Sequence, residues 1–166
     1  MSAKILLDKL RKLLDINQEL LKLGQEKTEA LKANNLQLLE EVIKNEQRCI
    51  AMMRFADEER TCAALAIFKG MELPTNEPTI NDCLAVITDT KLKEELYSLQ
   101  NELLIVTSNL QNINDLNQQL LKQSLQFVNI MLDSLNPQRN ITNYESKGNI
   151  VKDKNAPKNS MFDSKA

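Results

Sequence analysis

The chain has 166 residues, of which 42% are hydrophobic, 27% charged and only 4% aromatic, with Gly 3, Pro 4 and no histidine. That size suits one ordinary domain and excludes two substantial ones, while the scarcity of glycine and proline excludes a fold rich in hairpins and loops. A formal net charge of −2 gives no electrostatic footprint for nucleic acid, and the missing histidine removes the commonest general acid/base together with the commonest metal ligand.

The chain opens MSAKILLDKLRKLLD. Charges recur every few residues with no uninterrupted apolar run, so this is neither a signal peptide nor a membrane span, and a cytoplasmic protein without membrane insertion is expected. From 3 to 33, Leu6, Leu10, Leu13, Leu20 and Leu31 fall on an alternating 4,3 spacing that also includes Asn17, Gly24 and Lys27. Leu7, Leu14 and Leu21 widen this seam into a stripe that predicts a helix packed against two neighbours. Asn34-Asn35 interrupts it with turn and cap chemistry. Leu36, Leu39, Ile43, Ile50 and Met53 then start a second helix that runs on through Ala63, Ala64 and Ile67. Its predicted range is 35–70, with Gly70 as the C-cap.

Pro74, Asn76, Pro78 and Thr79 form the densest cluster of breakers before the tail, and Thr79 can cap a short helix over 79–87. Thr88-Asp89 offers the next cap. Leu92, Leu96, Leu99, Leu103, Val106, Leu110 and Ile113 then keep a 4,3 rhythm with no Gly or Pro until Pro137, which predicts one long helix over 89–136. Past Ile113 the old register holds Asn117 and Ser124, while Leu121, Leu125, Val128, Leu132 and Leu135 define a new one. A stutter of this kind turns the apolar face toward a different neighbour.

Residues 137–166 are rich in Asn, Lys, Ser and Pro, with scattered apolar side chains, and a flexible C-terminal tail is expected beside a helical domain over 1–136. Residues 1–136 carry 15 Lys+Arg against 20 Asp+Glu, while the tail carries six against three. A charge this mild gives no reason to expect a nucleic-acid partner. Cys49, Cys62 and Cys83 are odd in number and include no C-x-x-C pair, so they read as reduced core thiols and not as a zinc site or a disulfide framework. The fold expected is therefore all-α: an elongated antiparallel bundle or coiled coil of three long helices and one short one. No cofactor or metal is expected.

At about 1.5 Å per residue, the last helix is roughly 70 Å long and outruns its two partners of about 45 to 55 Å. Its last 15 or so residues then lack a helix alongside. They carry Leu125, Phe127, Val128, Met131, Leu132 and Leu135, too much apolar surface to leave in water at about 25 cal/mol per Å². A second copy, the tail or a foreign helix could cover it.

The stretch LNQQLLKQSLQFVN, from Leu116 to Asn129, followed by IMLDSL to Leu135, resembles the end of the last helix in the FlgN family of flagellar type III export chaperones. NLQLLEEVIKNEQ, from Asn35 to Gln47, resembles that family's second helix, and FDSKA, from Phe162 to Ala166, its chain ends. Where the family often has Tyr-Gly after the last helix, this sequence reads Tyr144-Glu145. The resemblance implies a chaperone that holds hook-filament junction (hook-associated) proteins, masks their polymerising segments and delivers them to the flagellar export apparatus. The site expected on the last helix comprises Leu121, Leu125, Phe127, Val128, Met131, Leu132 and Leu135, with Asn117, Gln118, Gln119, Gln123 and Asn129 able to hydrogen-bond along its rim.

A structural coiled-coil adaptor or homo-oligomeric tether would use the same seam for self-association; a stable oligomer favours that reading, whereas a monomer or weak self-association favours a client site. An enzyme would have to rest on runs such as Asp57-Glu58-Glu59-Arg60 or Lys93-Glu94-Glu95. Neighbouring charges on a helix point in different directions, so these runs read as solvated faces.

Overall fold

A wide leucine stripe at helical spacing can be buried only as a helix, and in the computed structural model, which describes residues 2–73 and 77–135, it forms α1, Ser2–Lys32. Leu6, Leu7, Leu10, Leu13, Leu14 and Leu20 are all buried. The buried polar residues on this face, Asn17 and Thr28, each find a partner. Asn17 Nδ2 donates to the Leu13 carbonyl at 2.8 Å, and Thr28 Oγ1 lies 3.0 Å from the Gly24 carbonyl while its proton goes to Asn117.

The chain reverses through Asn34, whose φ of 52° lies in the left-handed region that asparagine tolerates better than most side chains. Asn35 then caps α2, Leu36–Gly70, its side chain accepting the Leu38 backbone N–H at 3.1 Å. Gly70 is the last residue of α2, and the C-cap is Met71, not Gly70 as expected. Glu72, with φ of 55°, adopts the left-handed conformation, and the Leu73 N–H returns to the Phe68 carbonyl at 3.1 Å.

Thr79 caps α3, Ile80–Val86, in a reciprocal box. Its Oγ1 accepts from the Asp82 N–H at 3.1 Å, and Asp82 Oδ2 accepts from the Thr79 N–H at 2.9 Å. The Thr79 hydroxyl, and after it the Thr79 N–H, holds the Asp82 carboxyl below its ordinary value. Asp89 Oδ1 accepts from Lys91 and Leu92 and starts α4, Thr90–Leu135. Every helix end lies within one residue of its expected position. The described residues contain no strand, so the chain is an all-α helical bundle. The tail over 137–166, together with Pro74 and Asn76, lies outside the described residues.

The described residues up to Leu125 belong to one compact unit, and those from Gln126 to Leu135 to a second. Within the first unit α1 and α2 run antiparallel, as their ion pairs require: Glu59 meets both Lys9 (2.7 Å) and Lys12 (2.8 Å), and Glu46 meets Lys27 (2.7 Å). α4 runs parallel to α1, with Glu95 on Arg11 (2.9 Å) and Asn117 on Gly24 (2.8 Å).

The buried seam of α2 differs from the expected one. Val42, Cys49, Ala56 and Ala63 recur every seventh residue and are buried, whereas Leu36, Ile43 and Ile50 are exposed and Leu39 and Met53 only half-buried. Small side chains let α2 approach α1 closely, so the leucines of α1 fill the space between them. The larger side chains of α2 are turned aside. Cys49 and Cys83 are buried as expected, and burial pushes both thiols up, but Cys62 is exposed, which corrects its reading as a core residue.

The Lys12 ammonium, and after it that of Lys9, holds the Glu59 carboxyl below the usual carboxylate range. A lowered folded-state value means stabilisation that is present at neutral pH and lost as the pH falls through that value. Glu59→Gln should therefore lower the melting temperature at neutral pH, and the gap to the wild-type chain should close on acidification. Circular-dichroism melts across a pH series measure this, and a gap that does not change with pH would show that the carboxylate charge contributes nothing.

Candidate functional site

Of the apolar residues expected at the site, Leu121 and Leu125 lie in the first unit and Val128, Leu132 and Leu135 in the second. All five are exposed: Leu121 at 46%, Leu125 at 57%, Val128 at 50%, Leu132 at 53% and Leu135 at 79%. Phe127 and Met131 flank them and are exposed too, as are the rim candidates Gln118, Gln119, Gln123 and Asn129. From Gln126 to Leu135 no residue is even half-buried. Ile130, which the sequence reading left out of the site, is as exposed as Phe127. Ten successive helical residues thus present six large apolar side chains to water, far more than isolated surface leucines would.

Asn117 is not a rim residue. It is buried, with Nδ2 donating to the Gly24 carbonyl at 2.8 Å and Oδ1 accepting from Thr28 Oγ1 at 2.7 Å. Its amide is fully engaged inside the bundle and is unavailable to a client.

A second apolar surface lies wholly within residues 20–121. Because α2 meets α1 through small residues, its larger side chains Ile43, Ile50 and Met53 face Leu110 and Leu121 of α4 across a groove of about 720 Å³, with Leu31 of α1 at one end. The Lys27–Glu46 pair and Asp115 supply its charge. Sequence reading missed this groove. The signal available was the stripe Leu36, Leu39, Ile43, Ile50 and Met53, whose apolar surface exceeds what one neighbouring helix can cover.

The charged runs are solvated only in part: Asp57, Glu58 and Glu95 are exposed, whereas Glu59 and Arg60 are half-buried. Arg60 Nε donates to Asp57 at 2.6 Å, and Glu59 and Glu95 serve the interhelical pairs described above. Among the described residues no three His, Cys, Asp or Glu side chains gather as a metal site, and no helix is long and apolar enough to cross a membrane. The chemistry on offer is apolar recognition with amides at its margin. Because Phe127 and Ile130 are exposed, Phe127→Gln and Ile130→Gln should each change stability by no more than about 0.5 kcal/mol. Denaturant melts check this, and a loss several times larger would place these side chains in a packed core.

A family model described as FlgN protein matches residues 1–152. The chain is 35% identical over 166 residues, the full length of both proteins, to the uncharacterized protein YvyG of Bacillus subtilis (strain 168). No solved structure matches. An all-α bundle with exposed apolar helix faces suits a family whose members are non-enzymatic binding proteins, and the match covers all of the described residues; this chain belongs to the FlgN family of flagellar export chaperones.

Proposed function

We propose that this protein binds hook-filament junction (hook-associated) proteins in the cytosol, keeps them from assembling prematurely and delivers them to the flagellar type III export apparatus. Residues 1–136 act as the chaperone domain and 137–166 as its tail. The observation that carries the reading is the run of uncovered apolar side chains at the end of α4, in a chain of a family of export chaperones. Client capture uses Leu121, Leu125, Phe127, Val128, Met131, Leu132 and Leu135, with Gln123 and Asn129 at the margin. Asn117, engaged within the bundle, takes no part.

The mechanism follows from the chemistry of that face. Subunits that polymerise through amphipathic helices must have those helices covered until export, and a second apolar helix face covers them without any covalent step. The amides at the margin accept or donate hydrogen bonds without the desolvation cost of a charge, which suits a client that must later be released.

Replacing both Val128 and Leu132 with Asp should abolish capture of a purified hook-associated protein, since a desolvated carboxylate against an apolar partner costs several kcal/mol. Helicity and melting temperature should stay at wild-type values, because both side chains are about half exposed in the free protein. Calorimetric titration measures the binding. Wild-type affinity in a folded double mutant would move the site elsewhere, and unfolding of the mutant would place the face in the core.

A further inference from the structure

α4 is long but lightly held. Of its 46 residues only Leu96, Leu99 and Asn117 are buried. Leu96 and Leu99 join the core shared with α1, α2 and α3, and near them lies the Arg11–Glu95 pair. Among the described residues this is the one ion pair between α4 and another helix, and both its partners are about half exposed. Farther along, α2 does not brace α4, because the groove lined by Ile43, Ile50 and Leu110 lies between them.

This part of α4 is held by the half-buried Leu110 and Ile113 and by one buried polar contact with α1. Asn117 Nδ2 donates to the Gly24 carbonyl at 2.8 Å, and Asn117 Oδ1 accepts from Thr28 Oγ1 at 2.7 Å. Gly24 makes the approach possible. A Cβ there would lie 2.9 Å from Ile113 Cγ2, so a side chain at this position would require the Ile113 side chain to shift.

We propose that Gly24, Thr28 and Asn117 form a releasable latch, whose opening detaches the stretch of α4 around 110–121 from α1 and widens the groove between α4 and α2 while the α1–α2 hairpin stays folded. Three physical differences support this. Hydrogen bonds exchange for bonds to water at small net cost, whereas parting a leucine seam exposes apolar surface. The contact is confined to one turn of each helix, so it breaks as a unit. The α1–α2 pairing, by contrast, is continuous from Leu6 to Phe68 and carries three interhelical ion pairs of its own. Regions of few buried apolar contacts are those that open below the global unfolding limit. The latch concerns how the bundle opens and stands independently of which partner enters the groove.

Amide hydrogen exchange on the full chain tests the proposal, because a helical segment deprived of tertiary cover is marginal in water and loses protection. Asn117→Asp keeps the shape but turns a carboxylate oxygen toward the Gly24 carbonyl, and Thr28→Val removes the hydroxyl at nearly constant volume. In both variants the amides of 110–121 should exchange faster by about tenfold or more, as expected when a buried hydrogen-bond partner is lost. Those of 6–20 and 42–68 should stay within about twofold of wild type, since they report only opening of the hairpin. An equal rise in all three segments, or unfolding of both variants, would show that Asn117 is a pillar of the global core and overturn the latch. No rise at 110–121 in either variant would overturn it as well.

Discussion

The distance between α1 and α2 governs the rest of the bundle. α2 presents Val42, Cys49, Ala56 and Ala63 to α1, small side chains repeated every seventh residue, and α1 answers with leucines. Small against large lets two helices approach closely and still fill the space between them. Each leucine removed from water in this way contributes about 1.5 to 3 kcal/mol before the entropy of ordering is counted. The three ion pairs flanking the seam fix its register more than its strength, since partly exposed pairs contribute little.

The same closeness explains what is left uncovered. With small residues turned inward, the larger side chains of α2, among them Ile43, Ile50 and Met53, are displaced to its flank and become one wall of the groove. α4 supplies the other wall, yet reaches α1 chiefly through half-buried side chains such as Leu103, Val106 and Leu110 and through the buried Asn117. A buried asparagine satisfied on both sides of its amide costs less than an unpaired one and defines a single register for the helices it joins. Gly24 gives Ile113 and Asn117 the room to reach the α1 backbone.

An export chaperone needs surfaces that bind apolar helices without being consumed by its own folding. Here the division is visible along one helix. Leu96 and Leu99 are spent on the core, whereas Leu125, Val128, Leu132 and Leu135 stay exposed. Apolar side chains are chemically alike at all these positions; burial alone separates core from surface.

Helix content, helix ends and the capping residues Asn35, Thr79 and Asp89 were legible in the sequence, because these features depend on side chains within about four residues of one another. The exposure of Phe127, Val128 and Leu132 was also legible, since residue counts already made α4 the longest helix and its last turns are rich in apolar residues. Tertiary structure alone decided which stripe of α2 is buried, that Cys62 is exposed, that a groove separates α2 from α4 and that Asn117 is held inside the bundle. Those outcomes depend on the distance between helix axes, which the size of side chains on two remote segments sets jointly, and no periodicity within a single segment carries that information.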